Sequence, residues 1–280
     1  MKPFCTQYES LQQSPNLRSL TRRYALDFLS TINIQHHRAF SAPRIHFIYL
    51  HHVFEDEIPA FRNLLKWLAQ QNTTFISHSS AIKKLRDKEF DQPYISFSFD
   101  DGLKNCLTAA EVLDEFEAKA CFFINGKPLV ENNEQSQRDF CADRLNMPPC
   151  EFLNWDDICR LHESGHEIGN HMYSHLNSAD LSLQQFVDEF ESNHELFRSK
   201  GLNLEHFAWP YGEEKHILSD QLNYVCEETN YLSSSSAIRG AYVAGDTAKD
   251  QRYIYRDHCV AAWPRTHVSY LLGKSIRAPL

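Results

Sequence analysis

The stretch YISFSFDDGLKNCLTAAEVLDEFEAKACFFI (Tyr94–Ile124) carries the pattern that decides the fold. Tyr94–Phe99 reads as a strand with aromatic and β-branched content, and it ends in Asp100-Asp101-Gly102. Lys104–Glu117 repeats Leu107, Ala110, Val112, Leu113 and Phe116 at helical spacing. Ala120–Ile124 is a second short apolar run and reads as a buried strand. Strand, helix and strand in this order predict parallel strands joined by a crossover helix.

The same alternation extends on both sides. Upstream, Ile45–Leu50 reads as a strand, and Glu57–Gln71 places Ile58, Phe61, Leu64, Leu65 and Leu68 on one helical face. Downstream, Trp155–Ser164 is a helix with Asp156 and Asp157 in its first turn, and Glu167–Asn170 is a short strand. Leu181–Lys200 is a long helix whose Ser182 and Gln185 fit a capping box. His206–Trp209, Tyr231–Ser234, Tyr242–Ala244 and Tyr253–Arg256 are further strands. Such a chain forms a parallel sheet covered by helices, barrel or open, with its site at the carboxyl ends of the strands. Residues 1–44 read as an N-terminal arm containing one amphipathic helix, from Leu17, Leu20, Tyr24, Phe28 and Ile32. That helix either packs on the main domain or binds a partner. The polar segment at about 130–154 interrupts the alternation and is read as a functional flap or an inserted subdomain.

Composition removes several function classes. The 280 residues carry 28 Lys+Arg and 37 Asp+Glu, a net charge of -9, so no basic nucleic-acid surface is expected. No run approaches a transmembrane span, and no apolar leader follows Met1, so a cytoplasmic protein is expected. The nine glycines never form GxGxxG, GxSxG or a P-loop. The eight cysteines include no CxxC and read mostly as free thiols, with Cys141 and Cys150 the candidates for an exception.

Three polar clusters follow predicted core strands. Asp100-Asp101 are adjacent carboxylates whose mutual repulsion a cation would relieve. His171 and His175 stand four apart, a spacing that can chelate zinc. Trp209-Pro-Tyr-Gly212 is a turn whose backbone N–H groups can face a ligand. A second HxxxH pair, His162 and His166, lies on the outer helix and the turn after it, and is read as solvated.

Together these clusters resemble the polysaccharide deacetylase (NodB homology, carbohydrate esterase 4) family. Ser96-Phe-Ser-Phe-Asp-Asp-Gly102 looks like its TFDDG motif. Gly165-His-Glu-Ile-Gly-Asn-His-Met-Tyr-Ser-His175 looks like its GHEIGxH[ST]xxH block, and Phe207-Ala-Trp-Pro-Tyr-Gly212 like FAYPYG. The resemblance spans Ile45 to Arg256 and implies a distorted (β/α) barrel of the NodB type with fewer than eight regular strands. The catalytic domain would occupy 45–280. Asp101, His171 and His175 are implied to hold a divalent metal, zinc by preference. Asp100 is implied as general base and the Tyr211 N–H as oxyanion donor. A buried polar network or a structural metal is the alternative for these residues.

The departures are Ser98 for Thr, Met172 for Ser or Thr, and Ala208 where many members have Arg. Arg256, after a later strand, is expected to replace that Arg by pairing with Asp100; a surface ion pair is its alternative. His51, in a stretch resembling the YHxV strand end, is the first choice for general acid, with His258 the competitor. Trp209 stacks on a sugar or belongs to the core. The implied activity is removal of an N-acetyl group from an amino sugar, on a soluble, nucleotide-linked or lipid-linked intermediate. Deformylation at the same site, and a non-catalytic sugar-binding module, are the rival readings.

Overall fold

Every residue of β1 (Arg44–Leu50), β3 (Pro93–Phe99) and β4 (Ala120–Ile124) is buried, as in parallel strands covered on both faces. The computed structural model describes residues 3–11, 24–30, 39–89, 91–243 and 252–275. The other strands are β2 (Thr74–Phe75), β5 (Glu167–Asn170), β6 (His206–Ala208), β7 (Ser233–Ser235), β8 (Ala241–Val243) and β9 (Asp257–His258). The helices are α1 (24–30), α2 (Ile58–Ala69), α3 (His78–Asp87), α4 (Cys106–Asp114), α5 (Lys127–Val130), α6 (Glu134–Asp143), α7 (Trp155–Glu163), α8 (Leu183–Arg198), α9 (Ser219–Asn223) and α10 (Arg265–Ser275).

The sheet runs β7-β6-β5-β4-β3-β1, parallel throughout. Its two ends meet. Ile254 bridges Ser235 of β7, and three and four residues on, Asp257 and His258 pair in parallel with Ile48 and Tyr49 of β1. The segment 254–258 therefore closes the curl into an irregular barrel. β8 runs antiparallel along the first half of β1. The predicted strand at Tyr253–Arg256 is reduced to the single bridge at Ile254, and the strand paired with β1 begins at Asp257. Tyr231–Ser234 shifts to Ser233–Ser235, where Ser233 and Ser234 hydroxyls meet His206 and Trp209.

The main core lies between sheet and helices. α2 contributes Phe61, Leu64, Leu65 and Leu68, packed in one cluster with Ile48, Ile95, Phe97 and Phe99. Each such side chain contributes roughly 1.5–3 kcal/mol of transfer free energy. The predicted capping box of α8 is present: Gln185 Oε1 accepts the Ser182 N–H (2.9 Å), and Ser182 Oγ accepts the Gln185 N–H (3.4 Å).

The structure corrects one histidine. His162 is exposed, but His166 is buried, and its Nδ1 accepts the Ala120 N–H at 3.1 Å. The turn after α7 folds inward to start β5, so His166 ties β4 to that turn. All eight cysteines are free thiols. Cys141 and Cys150 are neighbours, with the Cys150 N–H donating to Cys141 Sγ at 3.3 Å. In the arm, Tyr24 and Phe28 on α1 are each 67% exposed, so neither packs into the barrel. Leu17, Leu20 and Ile32 lie outside the described residues.

Candidate active site

Parallel strands deliver their carboxyl ends to one face, and the three polar clusters arrive there together. Asp100-Asp101 follow β3, His171 and His175 follow β5, and Trp209–Gly212 follow β6. His51 follows β1, and His258 ends β9. All of these ends border one cavity of about 390 Å³, whose lining includes Asp100, Asp101, His51, His171, His175, Trp209, Tyr211 and His258. Its volume lies in the range of ligand pockets.

Asp101 Oδ1 lies 3.3 Å from His171 Nε2 and 3.3 Å from His175 Nε2. His171 Nδ1 is 2.8 Å from the Ala208 carbonyl oxygen, which only an N–H at Nδ1 satisfies, so in the neutral ring Nε2 presents a lone pair. That lone pair faces a carboxylate oxygen. Asp101 Oδ1 and His171 Nε2 are both buried and neither has an aligned hydrogen-bond partner. Ligand atoms about 2.1 Å from a tetrahedral cation stand about 3.4 Å apart, close to the separations seen. The three residues are the group among the described residues whose donor atoms suit a metal ion. Burial alone would raise the Asp101 carboxyl, but the His171 and His175 side chains outweigh it and hold the carboxyl well below its ordinary range.

The loops that carry these groups are strained. Asp101 (φ 74°), Met172 (φ 64°), His175 (φ 51°) and Tyr211 (φ 62°) all adopt the left-handed region, as do Gly102 and Gly212. Non-glycine residues rarely stay there unless their surroundings hold them. Met172 is held by burial among Phe186, Phe190, Phe207 and Trp209, and its N–H donates to Asn170 Oδ1 at 2.9 Å. An apolar residue therefore suits a position where a hydroxyl was the expected residue.

Arg256 meets Asp100 through two parallel bonds, Nη1 to Oδ1 and Nη2 to Oδ2, both 2.8 Å. Its accessibility is 0%, so this is no surface ion pair. Nε donates to the Ser236 carbonyl (2.8 Å), Nη1 also donates to Ser98 Oγ (3.1 Å), and the Tyr49 ring lies 4.4 Å from the guanidinium. Ser98 thus keeps the hydroxyl that its Thr counterpart would supply. Burial alone would raise the Asp100 carboxyl, but the Arg256 charge overcomes it and the net shift is downward.

His51 and His258 both reach the cavity, with ring centroids 5.3 Å apart. Burial pushes His258 down to about 3, with the His51 charge acting in the same direction. Burial also lowers His51, against the opposing pull of Asp101 and Asp100. The Tyr211 N–H has no hydrogen-bond acceptor among the described residues, while its ring is 5.1 Å from that of His175. Trp209 is a core residue: 1% exposed, stacked on Phe186 at 5.2 Å, with Nε1 donating to Ser234 Oγ at 2.5 Å.

Other lining residues went unread in the sequence. Tyr8 and Leu11 come from the N-terminal segment, and Arg144, Leu145 and Met147 from the loop after α6. His52 lines the cavity beside His51. His52 is the variable position of the stretch that resembles YHxV; the others belong to no motif, and for the loop after α6 the one available signal is the length of the 130–154 segment.

A chelating Asp-His-His group beside a separate, clamped carboxylate, at the carboxyl face of an α/β barrel, has the parts of a metal-assisted hydrolase. The family model for polysaccharide deacetylases matches residues 87–231, just over half of the chain, and the chain belongs to that family. A peptidoglycan-N-acetylglucosamine deacetylase of Bacillus cereus is 30% identical over 146 residues, which are 50% of this chain and 44% of that protein. The chain thus spans under half the length of this curated relative. Two solved structures share the fold. A Streptococcus pyogenes deacetylase, PplD, in complex with acetate, superposes with a TM-score of 0.65 at 14% identity, over 82% of this chain and 99% of that one. IcaB from Ammonifex degensii superposes with a TM-score of 0.66 at 16% identity, over 82% and 98%.

Proposed function

We propose that this protein is a metal-dependent N-deacetylase of amino sugars. The observation that carries the reading is the pairing of two units in one cavity: the Asp101-His171-His175 group and the Arg256-clamped Asp100. Family membership supports the reaction class. The domain division belongs to the same reading: an arm over 1–44, a catalytic domain over 45–280, and an insertion at about 130–154.

Asp101, His171 and His175 are the residues to hold the cation, and two imidazoles with one carboxylate at tetrahedral spacing favour zinc. A divalent ion there supplies Lewis acidity, lowering the pKa of water and polarising an amide oxygen. Asp100 then takes the proton of the water that adds to the acyl carbon. Arg256 orients this carboxylate and keeps it ionised. The Tyr211 N–H donates to the oxygen that gains charge. His51 gives a proton to the nitrogen as the C–N bond breaks, releasing acetate and a free amine. His258 is the alternative donor: burial lowers both imidazoles, His258 to about 3, while Asp101 and Asp100 pull His51 back up.

The finer substrate, a soluble, nucleotide-linked or lipid-linked amino sugar in the cytoplasm, belongs to this proposal. Eight free thiols suit a reducing compartment. No helix among the described residues is long and apolar enough to cross a membrane.

The test is metal analysis joined to acetate release from N-acetylated amino sugars. The wild type is expected to carry about one zinc per chain and to lose turnover with chelator. Asp101→Ala, His171→Ala and His175→Ala should lose metal. Asp100→Ala should keep it and lose turnover. Full metal content in all three ligand variants would overturn the assignment.

A further inference from the structure

Two adjacent acids in the turn before α2 each anchor a piece of cavity wall that the hydrolytic groups do not use. Glu57 is 1% exposed. Its Oε1 accepts the Ala262 N–H (3.2 Å), while Oε2 accepts the Phe54 N–H (3.0 Å) and lies 2.8 Å from His52 Nδ1. A carboxylate at that distance accepts a hydrogen bond from Nδ1–H and so fixes the tautomer, and in the neutral ring Nε2 carries the lone pair. No hydrogen bond among the described residues engages Nε2, and His52 borders the cavity.

Asp56 holds the second piece. Its Oδ1 accepts the Tyr8 N–H (2.7 Å) and its Oδ2 the Glu9 N–H (3.2 Å). The same N-terminal segment is tied to the insertion by the Cys5 N–H, which donates to the Pro149 carbonyl at 2.7 Å. The Arg138 guanidinium lies 4.5 Å from the Phe4 ring. These ties bring the Tyr8 ring to 5.5 Å from the His52 ring, and Tyr8 too borders the cavity.

The geometry points to Tyr8 and His52 as a specificity-determining pair that receives the sugar ring of the substrate. The inference rests on the deacetylase reading and adds a binding role for the N-terminal segment. An aromatic face beside an oriented imidazole nitrogen matches the two surfaces of a pyranose: C–H groups that pack on the ring, and hydroxyls that bond the nitrogen. An acylated amine without a sugar offers neither, so the pair should discriminate between the two while leaving the hydrolytic groups untouched.

The experiment compares two probes, N-acetylglucosamine oligomers and 4-nitroacetanilide, in the full chain with zinc bound. Tyr8→Ala and His52→Ala should each raise KM for the sugar about tenfold, with kcat within about twofold. Tyr8→Phe should stay near wild type. For the anilide, all variants should match wild type, and zinc content should not change. Equal losses on both probes would make the pair a structural support and overturn the inference, as would no loss on either. If the wild type hydrolyses the anilide but no sugar, the amino-sugar reading falls and this inference with it. If sugar turnover is intact in every variant, only this inference falls.

Discussion

Asp100 and Asp101 are neighbours in the chain and are treated oppositely by the fold. Asp101 faces two imidazoles, while Asp100 is gripped by the two-pronged Arg256. A planar guanidinium bonds both carboxylate oxygens, Ser98 and Ser236 at once, and an ammonium cannot. Arg256→Lys should therefore lower kcat by about 10²-fold or more, within the range of general-base contributions, with metal content unchanged. The sign for pH follows from the downward shift of Asp100. Weakening the arginine contact raises that pKa, so the acid limb of kcat/KM should move to higher pH in the variant. A pH–rate profile beside metal analysis checks both. The carboxylates and the two histidines were legible because each follows a strand and matches a motif. Arg256 was legible only as an option, since a lone Arg near a strand end does not reveal which acid it meets.

At the level of elements, loop shape positions the chemistry. Gly212 has φ +59°, and a Cβ there would stand 2.6 Å from the Ala237 nitrogen. Gly212→Ala should displace the Tyr211 turn, so turnover should fall more than about tenfold while far-UV circular dichroism stays native. Ser182→Ala removes the cap of α8 and should cost about 1 kcal/mol in urea denaturation, with no change in kcat. Amphipathic helices such as α2 and α8 were legible from periodicity. α6 was not, because its ten residues bury only Gln137, Phe140 and Cys141, and the polar remainder reads as loop. α3 escaped for the same reason, with four buried positions in a stretch rich in lysine and serine.

Across the whole molecule, barrel closure buries histidines that stay neutral. His206 lies between Ser79 and Ser233 hydroxyls (2.8 and 2.9 Å), and burial pushes it down to about 4. His166 is likewise at about 4, and His78 is pushed well below its ordinary value, in each case by burial first. Between pH 6.5 and 4 the unfolded chain binds protons that the folded chain refuses. The contribution of these three histidines to stability is therefore complete above about pH 6.5 and declines as pH falls. His206 alone should cost about 2 kcal/mol at pH 5. Urea midpoints measured from pH 7.5 to 5 should fall, and His206→Gln should flatten the slope; an unchanged midpoint would contradict the burial argument.

The alternation of strand and helix, the order of the three motifs and the caps were determined by the chain alone, because each depends on residues within a turn or a few of one another. The fork of Arg256 onto Asp100, the closing segment 254–258 and the seating of Tyr8 beside His52 were decided by tertiary structure. These join residues far apart in sequence, whose meeting depends on how the sheet curls shut. No local period records that curl, since it comes from strand twist and packing summed over the whole barrel.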